Sequence, residues 1–180
     1  MIKSVLAIHT SARKNWNTGK LLQEVLHGAE SKGAKTELVQ LAGLKLTGCN
    51  SCLYCKSKKA IPGKCTIKDD LTPILRKIEK CDALIVGTPI YFGNYCGRFQ
   101  ILTERFFPWS EYTSKKTNFP KKIKTGLIFT MGATAELAKQ FKMDDLFQRS
   151  AMMFSLIFGS QPEILASYNT LYLDPFFLIN

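Results

Sequence analysis

The sequence predicts an α/β fold, a doubly wound five-stranded parallel sheet with helices on both faces. Short β-branched apolar runs alternate with longer amphipathic segments along the chain, the pattern of right-handed βαβ units. With 180 residues, 46% of them apolar, one domain over residues 1–180 has the material for a core that buries roughly 70% of the unfolded chain's surface. No repeat, low-complexity tract or Pro/Gly/Ser linker divides it.

Val5 to Ile8 reads as the first buried strand. Leu21, Leu22, Val25, Leu26 and Ala29 then share one face of a helix ending near Gly33. Glu37 to Leu41 is the second strand. Leu71, Ile74, Leu75 and Ile78 repeat the helical spacing, with Asp70 as N-cap and Pro73 tolerated in the first turn. Ala83 to Gly87 is the third strand, followed by a helix from about Gly97 to Phe107. Gly126 to Thr130 is the fourth strand. One or two helices lie between Thr134 and Phe158, and the fifth strand is expected near Thr170 to Leu173.

Lys and Arg outnumber Asp and Glu by 25 to 14, giving a net charge of +11. Such a balance suits an anionic partner. The positive residues cluster at Lys56 to Lys68 and Lys115 to Lys124, beside no RNP-like aromatic signature, C2H2 finger or basic coiled-coil region, so no nucleic-acid partner is expected. No apolar run approaches the ~18 to 20 residues that span a bilayer, so no membrane partner is expected either. The N-terminal apolar segment leads into a polar loop without a small-residue cleavage site, which makes cytoplasm the expected location. Six cysteines in a reducing compartment argue against a disulfide framework. From Ser150 onward there is no Lys or Arg, while Met152, Met153, Phe154, Phe158, Phe176 and Phe177 crowd in. That stretch needs cover from the chain's own core or from a second subunit.

In a doubly wound sheet, ligands bind beyond the carboxyl ends of the strands. The loop after the first strand, His9 to Thr18, leads into a helix start. Ser11 and Thr18 hydroxyls, the Asn17 amide, the Arg13 guanidinium and free backbone N–H groups there make an anion site suited to a phosphate, although a plain polar loop is an equal reading of that segment alone. It matches neither G-x-G-x-x-G nor a P-loop. The loop after the third strand holds Pro89, Ile90, Tyr91, Phe92, Gly93 and Asn94; its aromatics suit a stacked flat ring, or pack into the domain edge. Gly132 lies in a third, smaller loop. His9 ends a strand at this rim, whereas His27 falls on a polar helix face. Neither has a Ser or Cys partner for nucleophilic catalysis, and there is no H-E-x-x-H.

The ordered set Ser11-Ala12-Arg13, Asn17-Thr18, Gly48-Cys49, Cys52, Gly63-Lys64-Cys65, Lys68-Asp69-Asp70, Thr88 to Gly93 and Glu104-Arg105 resembles the flavodoxin-like NADPH-dependent FMN reductases and their relatives, the iron–sulfur flavoproteins, over about residues 2 to 160. The resemblance implies a flavodoxin-like fold that binds FMN without a covalent link, as a homodimer or larger homo-oligomer. It places Ser11, Arg13, Asn17 and Thr18 at the phosphate, Pro89 to Asn94 along the isoalloxazine ring, and Gly132 near the pyrimidine edge. NAD(P)H would be the co-substrate, and a small-molecule or protein acceptor would take the electrons. No residue need act as acid or base, so no catalytic residue is assigned. Trp16 and Ala12 depart from the family's usual Gly and Pro, and relatives usually add a closing helix beyond the fifth strand.

Cys49, Cys52, Cys55 and Cys65 form a C-x2-C-x2-C-x9-C run between the second strand and the next helix. Four thiolates can hold a [4Fe–4S] cluster or a zinc ion, or remain free and redox-active. Lys56, Lys58, Lys59 and Lys64 would favour the thiolates. Cys81 and Cys96 read as small packing residues, and Asp69 and Asp70 as a helix start. The leading expectation is an FMN oxidoreductase. The alternatives are an iron–sulfur electron carrier whose basic surface attracts an acidic ferredoxin, and a zinc-stabilised basic binding module.

Overall fold

A computed structural model describes residues 3–111 and 117–170. Strand β1 (Ser4–His9) pairs in parallel with β2 (Lys35–Gln40) on one side and β3 (Ala83–Tyr91) on the other. β5 (Lys124–Thr130) and β6 (Glu163–Ser167) extend the parallel sheet in the order β2-β1-β3-β5-β6. The chain thus reverses direction across the sheet between β1 and β3, which opens a crevice at their carboxyl ends.

Leu6, Ala7 and Ile8 are buried because both faces of β1 are covered. Helix α1 (Asn17–Glu30) covers one face, where Leu22 and Leu26 meet Ala7 and Ile128. Helices α2 (Leu71–Lys80), α3 (Gly97–Glu104) and α5 (Met143–Phe158) cover the other, against Leu6, Ile8, Leu84, Val86, Leu127 and Phe129. A Cβ at Gly87 would stand 2.8 Å from Leu22 Cδ1, so glycine there lets α1 sit directly on β3. The short helix α4 (Ala135–Gln140) lies between β5 and α5. No helix among the described residues is long and apolar enough to cross a membrane.

The structure corrects several expectations. The fifth parallel strand is Glu163–Ser167, whereas the strand expected near Thr170 to Leu173 falls almost wholly outside the described residues. Glu163–Ser167 is an edge strand whose exposed and half-buried residues intermingle, so it lacks the continuous apolar run of a central strand. Thr170 is a turn residue donating its N–H to Met131 O at 3.0 Å, and Leu171 to Leu173 lie outside the described residues, as do Phe176 and Phe177. The helix expected to reach Phe107 ends at Glu104, before a 3-10 turn over Phe107–Trp109 that contains Pro108. What reads as a loop after the third strand is a hairpin: β3 runs on to Tyr91, and β4 (Asn94–Tyr95) returns antiparallel to it. Asp70 precedes α2 but makes no cap bond. Its carboxylate accepts from Lys45 N–H at 2.8 Å.

Candidate functional site

The loop after β1 is held by its neighbours. Thr10 donates both its N–H and its hydroxyl to Gly87 O at 3.0 Å, and Gln40 Nε2 donates to Ser11 O at 2.6 Å. The Ser11 hydroxyl accepts from Arg13 N–H at 3.2 Å, which folds the loop back on itself. It folds so tightly that a Cβ at Gly19 would collide with Lys14 O. Trp16 occupies the N-cap of α1 with no side-chain cap bond and no acidic residue in the first turn. The positive end of the helix is left for an outside anion. The Arg13 guanidinium lies 3.7 Å over the Trp16 ring, a stack that holds the charge beside that helix end.

Ser11, Arg13, Trp16, Asn17 and Thr18 line one cavity of about 130 Å³ with Pro89, Ile90 and Tyr91, and Thr130 to Gly132 close it. The hydrogen bonds of two of these side chains go elsewhere than expected. Thr18 Oγ1 meets Thr130 Oγ1 at 2.7 Å, and Asn17 Nδ2 donates to Thr170 O at 2.7 Å. Both tie the start of α1 to the far side of the cavity, so their side chains shape it as much as line it.

A second cavity of about 530 Å³ adjoins the first, sharing Ile90, Met131 and Gly132. Phe92, Gly93, Ala138, Phe141 and Met143 complete its lining with Ala133. Asn94 faces neither cavity. Its side chain accepts from Tyr95 N–H at 2.8 Å and from Gln100 Nε2 at 3.2 Å, closing the hairpin base. Tyr95 anchors that base by donating its hydroxyl to Leu146 O at 2.6 Å. At the tip, Phe92 and Gly93 both have left-handed backbones, with φ of +50° and +72°. Thr130 and Met131 belong to the third loop that the sequence marks, whereas Phe141 and Met143 carry no sequence signal beyond apolar residues at a break between two helices.

His9 and Cys96 lie beneath the loops rather than in the cavities. His9 is 1% exposed, and burial pushes its pKa down against the smaller raising influence of the Gln40 side chain. Cys96 is buried with its Sγ 3.2 Å from Thr10 Oγ1. Cys81, also buried at the opposite edge, has its thiol pushed up by burial to about 11.

All four clustered cysteines line one small cavity of about 10 Å³, together with Glu104, Arg105 and Phe107. Cys49 and Cys52 are exposed, while Cys55 and Cys65 are half-buried. The segment is built around two left-handed non-glycine residues, Ser51 and Leu53. Glu104 accepts from Cys49 N–H at 3.0 Å, and Cys49 Sγ accepts from Ser51 N–H at 3.4 Å. The Tyr54 N–H, then the Thr66 hydroxyl, lower the Cys52 thiol, whereas burial raises Cys55 against the opposing charge of Lys56. Two of the nearby lysines have other partners as well: Lys64 is paired with Glu79 at 2.9 Å, and Lys56 Nζ donates to Phe107 O at 2.7 Å. Among the described residues, no three His, Cys, Asp or Glu side chains are disposed to hold a metal ion.

The family model described as NADPH-dependent FMN reductase matches residues 4–155. The chain is 36% identical over 104 residues to an iron–sulfur flavoprotein of Methanocaldococcus jannaschii, covering 58% of this chain and 52% of that one. It is 28% identical over 130 residues to an iron–sulfur flavoprotein of Methanosarcina thermophila, covering 72% and 63%. The match thus spans about half the length of the first of these relatives. The fold is similar to that of an NAD(P)H:quinone oxidoreductase from Methanothermobacter marburgensis, with a TM-score of 0.70 at 14% identity over 93% of this chain and 84% of that one. It is also similar to an FMN-dependent NADH-azoreductase from Bacillus anthracis, with a TM-score of 0.71 at 11% identity over 99% and 92%. A family match across most of the sheet, meeting an uncapped helix start and an adjoining apolar slot at one switch point, leads to one conclusion: this chain belongs to the NADPH-dependent FMN reductase family.

Proposed function

We propose that this chain is an NAD(P)H-dependent FMN oxidoreductase, with FMN held across the two adjoining cavities. The observation that carries this reading is their shared wall of Ile90, Met131 and Gly132, which sets an anion-binding helix start end to end with an apolar slot. The residues fit a planar group with a phosphate tail. Arg13 and the uncapped start of α1 supply positive potential at one end, and the other end is apolar. Held there, FMN would supply hydride-accepting chemistry between reduced nicotinamide and an electron acceptor. The protein's part is to hold the phosphate with Ser11, Arg13 and the backbone of Asn17 and Thr18, to bracket the ring between Pro89–Gly93 and Gly132, and to keep water from the apolar side. Exposed Met152, Met153 and Leu156 on α5 support assembly with further copies.

Titration of the purified protein with FMN, followed by flavin fluorescence, tests this reading. Arg13→Ala should weaken FMN binding by about 1.5–3 kcal/mol, roughly tenfold to a hundredfold in Kd, the worth of a hydrogen bond to a charged group. A wild-type protein that leaves FMN free, or an unchanged Kd in the variant, would remove the phosphate from this loop.

A second reading rests on the common cavity of Cys49, Cys52, Cys55 and Cys65: a four-thiolate iron–sulfur centre, for which the four side chains would have to draw closer together than they now lie. The names of the curated relatives support it. Anaerobic reconstitution with iron and sulfide should give about four irons per chain in the wild type and markedly fewer in Cys55→Ser. Zinc in place of iron, or no metal retained, would end this reading.

A further inference from the structure

We propose that Trp16, at the N-cap of α1, is a positioning residue for the phosphate end of the flavin: its ring holds the Arg13 guanidinium at the helix start, and so the site selects the phosphorylated mononucleotide over riboflavin. The proposal rests on the FMN reading above and concerns how the anion end of that site is built. A long side chain on an exposed loop has many rotamers, and ordering it only when a ligand arrives costs affinity. Arg13 is exposed, and the bond from its N–H to the Ser11 hydroxyl at 3.2 Å fixes only its backbone. Among the described residues, no carboxylate is paired with it. What orders the side chain is the indole of Trp16, whose centroid lies 3.7 Å from Arg13 Cζ. A planar guanidinium lying over a ring keeps the N–H groups around its rim free to fork onto phosphate oxygens.

The platform is itself well seated. Trp16 is half-buried, its backbone is extended as an N-cap requires, and its carbonyl accepts from Lys20 N–H at 2.9 Å in the first turn of α1. The next residue, Asn17, is tied across the cavity to Thr170 O at 2.7 Å. An N-cap is ordinarily Ser, Thr, Asp or Asn, whose side-chain oxygen takes up an N–H of the first turn. An indole has no acceptor to offer. Trp16 therefore leaves those N–H groups to a ligand and sets a cation beside them, two effects that favour the same kind of group. Trp16 and Arg13 line the same cavity of about 130 Å³ as Asn17 and Thr18. A phosphate monoester, with close to two negative charges at pH 7, gains from both, whereas the hydroxyl that ends riboflavin's side chain gains from neither.

The test measures two dissociation constants on the full chain, for FMN and for riboflavin, by flavin fluorescence. In Trp16→Leu the ratio of the riboflavin Kd to the FMN Kd should fall about fivefold, the worth of one exposed cation–π contact, because FMN binding weakens while riboflavin binding does not. Trp16→Phe, which keeps a ring under the guanidinium, should restore most of the ratio. Arg13→Ala with Trp16→Leu should give the same ratio as Arg13→Ala alone, since the indole acts through the guanidinium. Should Trp16→Leu fail to fold, Arg13→Lys, which keeps the charge but loses the stacking plane, should lower the ratio instead. An unchanged ratio in Trp16→Leu, or a further fall in the double variant, would overturn the proposal and leave the flavin reading standing. An equal loss of both flavins would also overturn it, placing the indole against the ring rather than beside the phosphate. A wild type that binds neither flavin would overturn the proposal and the FMN reading together.

Discussion

Arg105 is 1% exposed, yet it carries a full charge that the core tolerates only because its partners are placed around it. Its guanidinium donates to Thr47 O at 2.9 Å, Asp69 Oδ2 at 2.8 Å and Ile67 O at 3.2 Å. Those partners flank the segment that carries the four cysteines, so one side chain at the end of α3 draws the two ends of that segment together. Burial pushes the Asp69 carboxyl up, but the Thr47 N–H and Arg105 outweigh it and hold the carboxyl below the ordinary range. Asp69→Asn would leave a buried cation without its countercharge. Urea unfolding at pH 7 should show a loss of about 3–5 kcal/mol. A loss below about 1 kcal/mol would mean that water, not Asp69, balances Arg105.

At the scale of elements, the central strands were legible because each is buried on both faces and so appears as a continuous apolar run. β6 was not. It stands at the edge, begins with an exposed Glu163 and leaves Leu165 exposed, while Thr170 to Leu173 has the stronger β-branched and aromatic content. The hairpin was hidden by its own departure from turn chemistry, since Phe92 stands where a small or polar residue would mark the turn. The same contrast divides the candidate site. Ser11 to Thr18 and Pro89 to Gly93 are contiguous loops at strand ends, so topology alone brings them to one rim. Phe141 and Met143 reach it only through the approach of α4 and α5 to the sheet, a tertiary fact with no local signature. Asn94, which the resemblance sets along the ring, lines neither cavity, and its side-chain oxygen accepts within the hairpin.

For the whole molecule, the buried groups imply a stability that depends on pH in two stages. His9 is 1% exposed, and burial outweighs the opposing influence of the Gln40 side chain and lowers its pKa. The unfolded chain therefore takes up a proton below about pH 6.5 that the folded chain refuses, and stability declines from there as pH falls. One such group sets a slope of at most about 1.4 kcal/mol per pH unit. Carboxylates add the second stage. The Ser4 N–H, with the Lys121 ammonium and the Ser4 hydroxyl, holds Asp82 down at about 2, tying the start of β1 to that of β3, and Asp69 is also held low. Their contribution is complete above the unfolded pKa of about 3.9 and is lost as pH falls toward about 2. Protonation there also raises an already positive net charge and so adds self-repulsion. Urea titrations from pH 8 to pH 3, at constant flavin concentration, should therefore show a plateau, a shallow decline beginning near pH 6.5, and a steeper one below about pH 4. His9→Leu should abolish the shallow limb and leave the steep one. A wild type flat down to pH 4.5, or a variant retaining the same shallow limb, would show that His9 is protonated as readily in the folded chain as in the unfolded one.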